Sequence, residues 1–485
     1  MVLFCRYEMS TNLFNATLWS SFQRFGSLAI GFISNLLLAR LLCPEDYGTV
    51  GMIMVFVGLT DVLVEGGLGN ALIQKQNITD NDTLTVFSTY FFLSSLFFLI
   101  LFVSAPFIES YVLIKDFSIY LRVVSTVLII RSFYLVPFSL LNKRLDFKSL
   151  TRINLISQIL STIIAVTLAM TGFGIWSLII RNLMLDILAC IMYIGKTRIL
   201  PHFFIDKKSF KSLFGFGAYV ALANLAESFY ASAISFVIGK KFSVKELGYY
   251  NQAYSLEQIP VYSLSMVLNQ VFFPILSEEQ HDLYKVKADT KKGIQIMSFF
   301  LYPLMVFLII FSDQVISILY SEKWLPSSPI FKILCVIGFF NYLYHLNRSI
   351  LKALNKTSVL FYTQIISGVI GIIIILCAIP YGLMSVVAAV SLNSFIGYAV
   401  VGIISGKLIN YSFISQIRDI LSNFLTSVLS GLFTLAISSL SFFNMYLTII
   451  LGFIIFIFIF ILLNILFRPL SFKLVYCVVK SNLFK

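Results

Sequence analysis

Three arginines, Arg24, Arg131 and Arg181, stand inside long apolar stretches of the sequence. A cation at such a place costs at least about 2.5 kcal/mol on insertion scales, so each is expected to face a hydrated interior or a partner side chain instead of lipid. The planar guanidinium fork binds two oxygens of an anion at once and stays charged at any physiological pH. The same stretches carry acids. Asp61 and Glu65 lie four residues apart, which places them on one helical face, and Asp186, Glu227 and Glu257 stand in other stretches. Two carboxylates close together in low dielectric resist simultaneous ionisation, so Asp61, Glu65, Glu227 and Asp186 are candidates for coupling to a proton or another cation. The bland alternative is static pairing: Asp61 or Glu65 neutralising Arg24 or Arg131, and Asp186 serving Arg181 on its own helix.

One stretch near the middle is unusually polar, with Asn251, Gln252, Tyr254, Glu257 and Gln258, and contains Pro260, which removes a backbone hydrogen bond and favours a kink. Such a helix suits a cavity wall, and Tyr254, Glu257 and Gln258 join Arg24, Arg131 and Arg181 as candidate substrate contacts. Phe229, Tyr230, Tyr249, Tyr250 and Tyr254 could offer ring faces to a bound ligand. Aromatic residues make up 16% of the chain, however, and most of them must simply meet lipid or neighbouring helices.

What must position these groups follows from composition. The chain has 485 residues, 59% hydrophobic and 12% charged, with a mean hydropathy of +0.93; an ordinary soluble domain has about 25% charged residues. Only a bilayer accepts so much apolar surface. The formal net charge of +13 is spread over short loops between apolar runs, which argues for membrane topology and against nucleic acid. Runs of about 20 apolar residues, enough to cross the ~30 Å hydrocarbon layer as helix, recur fourteen times: 18–41, 48–70, 84–106, 119–140, 153–172, 175–194, 213–238, 248–274, 294–319, 330–350, 358–378, 383–405, 420–440 and 446–467. An all-α polytopic membrane protein is expected, since backbone polar groups in lipid must be satisfied within the segment. Cations concentrate in alternate loops, as in Lys143–Arg152, Lys196–Lys211 and Lys285–Lys292, so both termini are expected in the cytoplasm. The first run reads as a signal anchor with no cleavage site, and Met9 is an alternative start. Six scattered cysteines show no metal or redox spacing and are expected to serve packing.

The chain also contains itself twice. Residues 39 to 48, ending Pro44-Glu45-Asp46-Tyr47-Gly48, recur in weakened form at 239 to 248, ending Val244-Lys245-Glu246-Leu247-Gly248, an offset of 200. Lys148 through Gly174 recurs at Lys356 through Gly382, an offset of 208. Two pseudo-symmetric six-helix lobes are therefore expected, residues 1–194 and 212–406, joined by a basic linker at 195–211 and followed by two more helices within 407–485. Parallel repeats of this kind belong to transporters. Gly66, Gly67 and Gly69, at the end of the second stretch, suit either a helix break or close packing.

Ala39 to Gly48, followed by Gly51-Met52, Gly67 to Lys75 and Ala105-Pro106, resembles the polysaccharide transporter family, the Wzx-type flippases of the multidrug/oligosaccharidyl-lipid/polysaccharide exporter superfamily. The resemblance implies a V-shaped pair of lobes in the bacterial cytoplasmic (inner) membrane. It implies movement of a polyprenyl-diphosphate-linked oligosaccharide to the periplasmic leaflet by alternating access, for O-antigen, capsule or exopolysaccharide, and contact with membrane lipids and with polymerase or ligase machinery. A cation-coupled multidrug or small-solute exporter of the same superfamily is the alternative.

Catalysis finds no constellation. Gly195-Lys196-Thr197 lacks the glycine five residues earlier that a phosphate-binding loop requires, because Cys190 stands there. Asp80-Asn81-Asp82 reads as a solvated turn, and His202, His281 and His345 are isolated, which leaves no metal site and calls for no cofactor. An integral-membrane polymerase would need large outer loops that this chain lacks.

Overall fold

Each apolar stretch folds as the helix that a solvent without hydrogen bonds demands. The structure, a computed structural model, describes residues 11–65, 68–75, 77–198, 202–267, 272–438, 445–467 and 471–472. Its first half runs α1 (Thr11–Leu41), α2 (Pro44–Glu65), α3 (Leu68–Gln74), α4 (Asp80–Val112), α5 (Phe117–Lys143), α6 (Phe147–Met170), α7 (Ile175–Thr197), α8 (Lys207–Lys241) and α9 (Val244–Val267). The second half runs α10 (Phe273–Glu278), α11 (Leu283–Ile310), α12 (Ser312–Tyr320), α13 (Ser328–Ala353), α14 (Thr357–Ala378), α15 (Leu383–Leu408), α16 (Phe413–Ser438) and α17 (Met445–Phe467). There is no β-strand among the described residues. Twelve of the described helices are long and apolar enough to cross a membrane. Helices α8 and α9, of 35 and 24 residues, occupy the stretches expected as spans seven and eight.

Packing divides the chain into two compact units, residues 2–251 and 252–485. In the first, α1 lies along α6, α6 and α5 both meet α7, α4 pairs with α5, and α8 lies along α2. In the second, α13 packs on α15 and α11, α14 on α15, and the two last helices join through α16 against α11 and α17 against α16. Polar side chains staple that unit: Asn423 of α16 donates to Ser298 Oγ of α11 at 2.6 Å, and Ser405 of α15 to Asn347 Oδ1 of α13 at 2.6 Å.

Local chemistry sets where the helices begin. Thr79 caps α4 in a reciprocal capping box with Asp82, whose carboxylate also meets Lys75 Nζ at 2.7 Å. Asp80-Asn81-Asp82 is thus the first helical turn, with Asp80 and Asn81 exposed as expected; only Asp82 departs from a solvated turn, fully buried where its cap and its lysine hold it. Asp82→Ala is expected to destabilise the protein by about 1–3 kcal/mol, the sum of a lost cap and a lost ion pair, read as a lower Tm of the purified protein. The segment before α8 clasps the same corner. Phe204 N donates to Ser88 Oγ at 2.9 Å, Asp206 N donates to Thr85 Oγ1 at 3.0 Å, and the Phe203 ring lies 5.0 Å from that of Phe91. Asp206 then caps α8 by accepting from Ser209 N, which holds its carboxyl below the usual range.

The glycines that end the second repeated stretch do equivalent work. Gly174 and Gly382 are the N-caps of α7 and α15, with φ of +50° and +95°, a left-handed backbone that side chains resist. The first glycine cluster follows the end of α2 at Glu65 and runs into α3, which begins at Leu68. Gly69 packs so closely that a Cβ would come within 2.9 Å of Tyr90 Oη, while Gly66 and Gly67 lie outside the described residues.

Two expectations are corrected. The single span at 294–319 is broken at Phe311, which is buried against Phe307 with ring centroids 4.8 Å apart and sits over Gly452 of α17, where a Cβ would clash with its ring at 2.4 Å. Packing against α17 fixes the turn, so α11 and the short α12 are separate helices. Packing also fails to account for every cysteine: Cys335 is buried, but Cys43 and Cys377 are exposed. Cys43 Sγ donates to Asp46 Oδ2 at 3.0 Å, and partial burial together with that carboxylate pushes the thiol up to about 11.

Candidate functional site

Four helices of the first unit, α2, α5, α6 and α7, bring their polar residues to one cavity of about 250 Å³. Arg131 of α5 is its only cation among the described lining residues. Its Nε donates to Asp186 Oδ1 at 3.1 Å and its Nη2 to Asp186 Oδ2 at 3.2 Å, a bidentate grip on α7, while its Nη1 donates to Asp61 Oδ2 of α2. Tyr134, one turn along α5, donates to Asp186 Oδ1 at 2.7 Å. Asp186 is 2% exposed, so its charge depends on this arginine; buried ions are retained only when paired and hydrogen-bonded. Glu65, one turn beyond Asp61 on α2, also lines the cavity, at the end of the helix.

The far wall is α6 with Asn154, Ser157 and Gln158, closed by Tyr193 of α7. Tyr193 donates to Asn154 Oδ1 at 3.0 Å and its ring stacks on that of Tyr134, 5.4 Å away at 14°. Gln158 Oε1 is buried without a hydrogen-bond partner. The cavity thus holds three carboxylates, Asp61, Glu65 and Asp186, against one guanidinium, an excess of two acids, with amide and hydroxyl oxygens beside them.

The structure therefore gathers Asp61, Glu65, Arg131 and Asp186 into one site. The other candidates lie elsewhere. Arg24 is exposed on α1 and Glu227 is exposed on α8, neither lining the cavity. Arg181 is half-buried on α7 with its Nε lacking a hydrogen-bond partner. Its expected pairing with Asp186 does not form, because five residues along a helix turn the side chain about 140° away and Asp186 faces α5 instead. Tyr254, Glu257 and Gln258 belong to the second unit on α9, which continues as helix through Pro260. Glu257 is fully buried; its Oε2 accepts from Gln258 Nε2 at 2.9 Å and its Oε1 has no hydrogen-bond partner among the described residues. Tyr249 and Tyr250 are buried, whereas Phe229 and Tyr254 are exposed.

Tyr134, Asn154, Gln158 and Tyr193 were missed by the sequence reading, yet a signal existed. Asn154, Ser157, Gln158 and Ser161 fall at i, i+3, i+4 and i+7, a polar stripe on an otherwise apolar span.

Residues 37–329 match the family of polysaccharide biosynthesis proteins. The teichuronic acid biosynthesis protein TuaB of Bacillus subtilis (strain 168) is 23% identical over 446 residues, covering 89% of this chain and 90% of the relative. Among solved structures, the lipid II flippase MurJ in an inward closed conformation is similar with a TM-score of 0.74 at 20% identity, covering 94% of this chain and 99% of that one. An inward-facing multidrug resistance MATE family transporter of the MOP superfamily follows with a TM-score of 0.66 at 14% identity, covering 81% and 98%. At these identities the two structures establish the fold.

Proposed function

The chain belongs to the polysaccharide biosynthesis protein family, and from that premise we propose that it flips lipid-linked oligosaccharide repeat units across the cytoplasmic membrane. It is a multi-pass membrane protein with the fold of MOP-superfamily transporters. The observation that carries the finer reading is the Arg131 triad: a cation held by two carboxylates in a polar cavity among four membrane-crossing helices. A diphosphate arriving at that cavity offers the guanidinium the same paired-oxygen geometry that the carboxylates do. Protonation of Asp61, or entry of a cation beside Asp61 and Glu65, frees Nη1 of Arg131 for the headgroup while Asp186 keeps its two-point hold on Nε and Nη2. Cation uptake and substrate capture are then linked through one side chain. Arg24, Arg181, Tyr254, Glu257 and Gln258 extend the headgroup path, and Glu227 joins the coupling acids.

In this reading fourteen spans form two lobes of residues 1–194 and 212–406, the termini face the cytoplasm, and the lobes rock to expose the headgroup outward while the polyprenyl tail stays in lipid. The product would pass to a polymerase or ligase at the outer leaflet. No catalytic role is assigned. The alternative, export of small cationic drugs, draws on the acid excess of the cavity.

Reconstitution separates the two. Vesicles containing the purified protein are expected to exchange a fluorescent polyprenyl-diphosphate oligosaccharide between leaflets well above empty vesicles, and not to expel a cationic dye; dye efflux without lipid exchange would overturn the proposal. Arg24→Ala is expected to slow exchange several-fold with the Tm unchanged, because Arg24 is placed on the headgroup path and its side chain is exposed on α1.

A further inference from the structure

The two turns that carry the repeated motif touch each other. A Cβ built on Gly48 of α2 would fall 1.7 Å from the carbonyl oxygen of Val244, and one built on Gly248 of α9 would fall 1.9 Å from the carbonyl oxygen of Pro44. Positions 44 and 244, and 48 and 248, are equivalent at the repeat offset of 200. The contact is therefore reciprocal: the fifth residue of each helix seats on the first residue of its counterpart, the pattern of a two-fold interface, here inside one chain. Backbone meets backbone, so no side-chain rotation can relieve an added methyl group. Gly51 repeats the closeness, with a Cβ 2.0 Å from Asn251 Nδ2.

In a two-fold contact the residue on the axis meets its own equivalent. That residue is position 45 and its counterpart 245, and the pair is Glu45 and Lys245, Oε1 to Nζ 3.2 Å. Two identical copies would oppose like charges there, whereas these copies oppose unlike ones. Both side chains are about half exposed, so the pair adds little rigidity and its sign matters more than its strength. Beside it Lys240 lies 4.6 Å over the Tyr111 ring and donates to Tyr111 O, holding the end of α8 to the end of α4.

We infer that this reciprocal contact is a latch that seals one end of the bundle and parts during each transport cycle, with Gly48 and Gly248 permitting closure and the Glu45–Lys245 pair selecting it. The latch rests on the transport reading above, but its closure is measurable without any substrate. Met52, fully buried on α2 behind the contact and beside Gly239, is the reporter site. In full-length protein in lipid nanodiscs carrying Met52→Cys, with all six native cysteines replaced by serine, a water-soluble maleimide is expected to react slowly. Adding Gly48→Leu or Gly248→Leu is expected to raise the rate at least tenfold, since the larger side chain holds the end ajar. Glu45→Lys is expected to raise it several-fold, and Glu45→Lys combined with Lys245→Glu to restore it. The variants that label fast are expected to lose leaflet exchange, and the charge-swapped double variant to regain it. Unchanged labelling in both leucine variants would show a permanent weld and overturn the latch, as would fast labelling with undiminished exchange. Failure of the wild-type protein to move lipid-linked oligosaccharide, with labelling as expected, would instead count against the substrate reading alone.

Discussion

On the proposed function, Arg131→Ala is expected to lower leaflet exchange of a lipid-linked oligosaccharide at least about 100-fold, the size of effect that loss of one partly buried, doubly paired guanidinium produces when about 3 kcal/mol of interaction is removed. The expectation has two sources that must be separated. Arg131 is the only cation among the described lining residues of the cavity, so the headgroup loses its partner; Asp186, 2% exposed, also loses its counter-charge and strains the fold. Replacing the pair together in an Asp61→Asn background, Arg131→Leu with Asp186→Leu, removes the guanidinium and both of the carboxylates it holds and is expected to restore the Tm to within a few degrees of the wild type, since apolar substitutes for ion pairs out of water are well tolerated. Exchange should stay abolished in that triple variant. Arg131→Lys keeps the charge but loses the bidentate grip and should retain a few per cent of the rate. A stable triple variant that flips lipid at the wild-type rate would remove the guanidinium from the transport path.

Glu257→Leu is expected to move stability and transport in opposite directions. The carboxyl is fully buried and satisfied on one oxygen only, by Gln258. A buried polar oxygen without a partner costs about 1–3 kcal/mol, and leucine at this site recovers much of that, raising the Tm by several degrees. A residue kept against stability is kept for work, so exchange is expected to fall at least tenfold. Glu257→Gln, which preserves shape, should fall between. A leucine variant that is more stable and transports normally would leave the carboxyl without a role.

The periodicity of apolar residues exposed most of the architecture to reading, because in lipid a helix satisfies its own backbone and its length is set by the bilayer. The repeat was legible too, since equivalent turns keep equivalent glycines at positions 174 and 382. Less visible were contacts decided between helices. Asp61, Glu65, Arg131 and Asp186 could each be named as expensive in a membrane, but their choice of partners depends on how α2, α5 and α7 are rotated. The nearer acid in sequence therefore misled at Arg181. Asp82 was misread because its neighbours along the chain are polar, while Lys75, which encloses it, comes from the other side of the turn. The break at Phe311 was hidden for the same reason, as it is imposed by Gly452 more than a hundred residues later.

The clasp between the segment before α8 and the start of α4 constrains the order of assembly on the ribosome. Ser88 and Thr85 are synthesised 116 and 121 residues ahead of the amides they receive. At 5–20 residues per second, α4 waits roughly 6 to 24 s in the bilayer before Phe204 and Asp206 emerge. The first bundle must therefore be inserted and oriented before the second copy of the motif can find it, and a nascent chain stalled between them would display Phe87 and Phe91 as an uncovered aromatic corner.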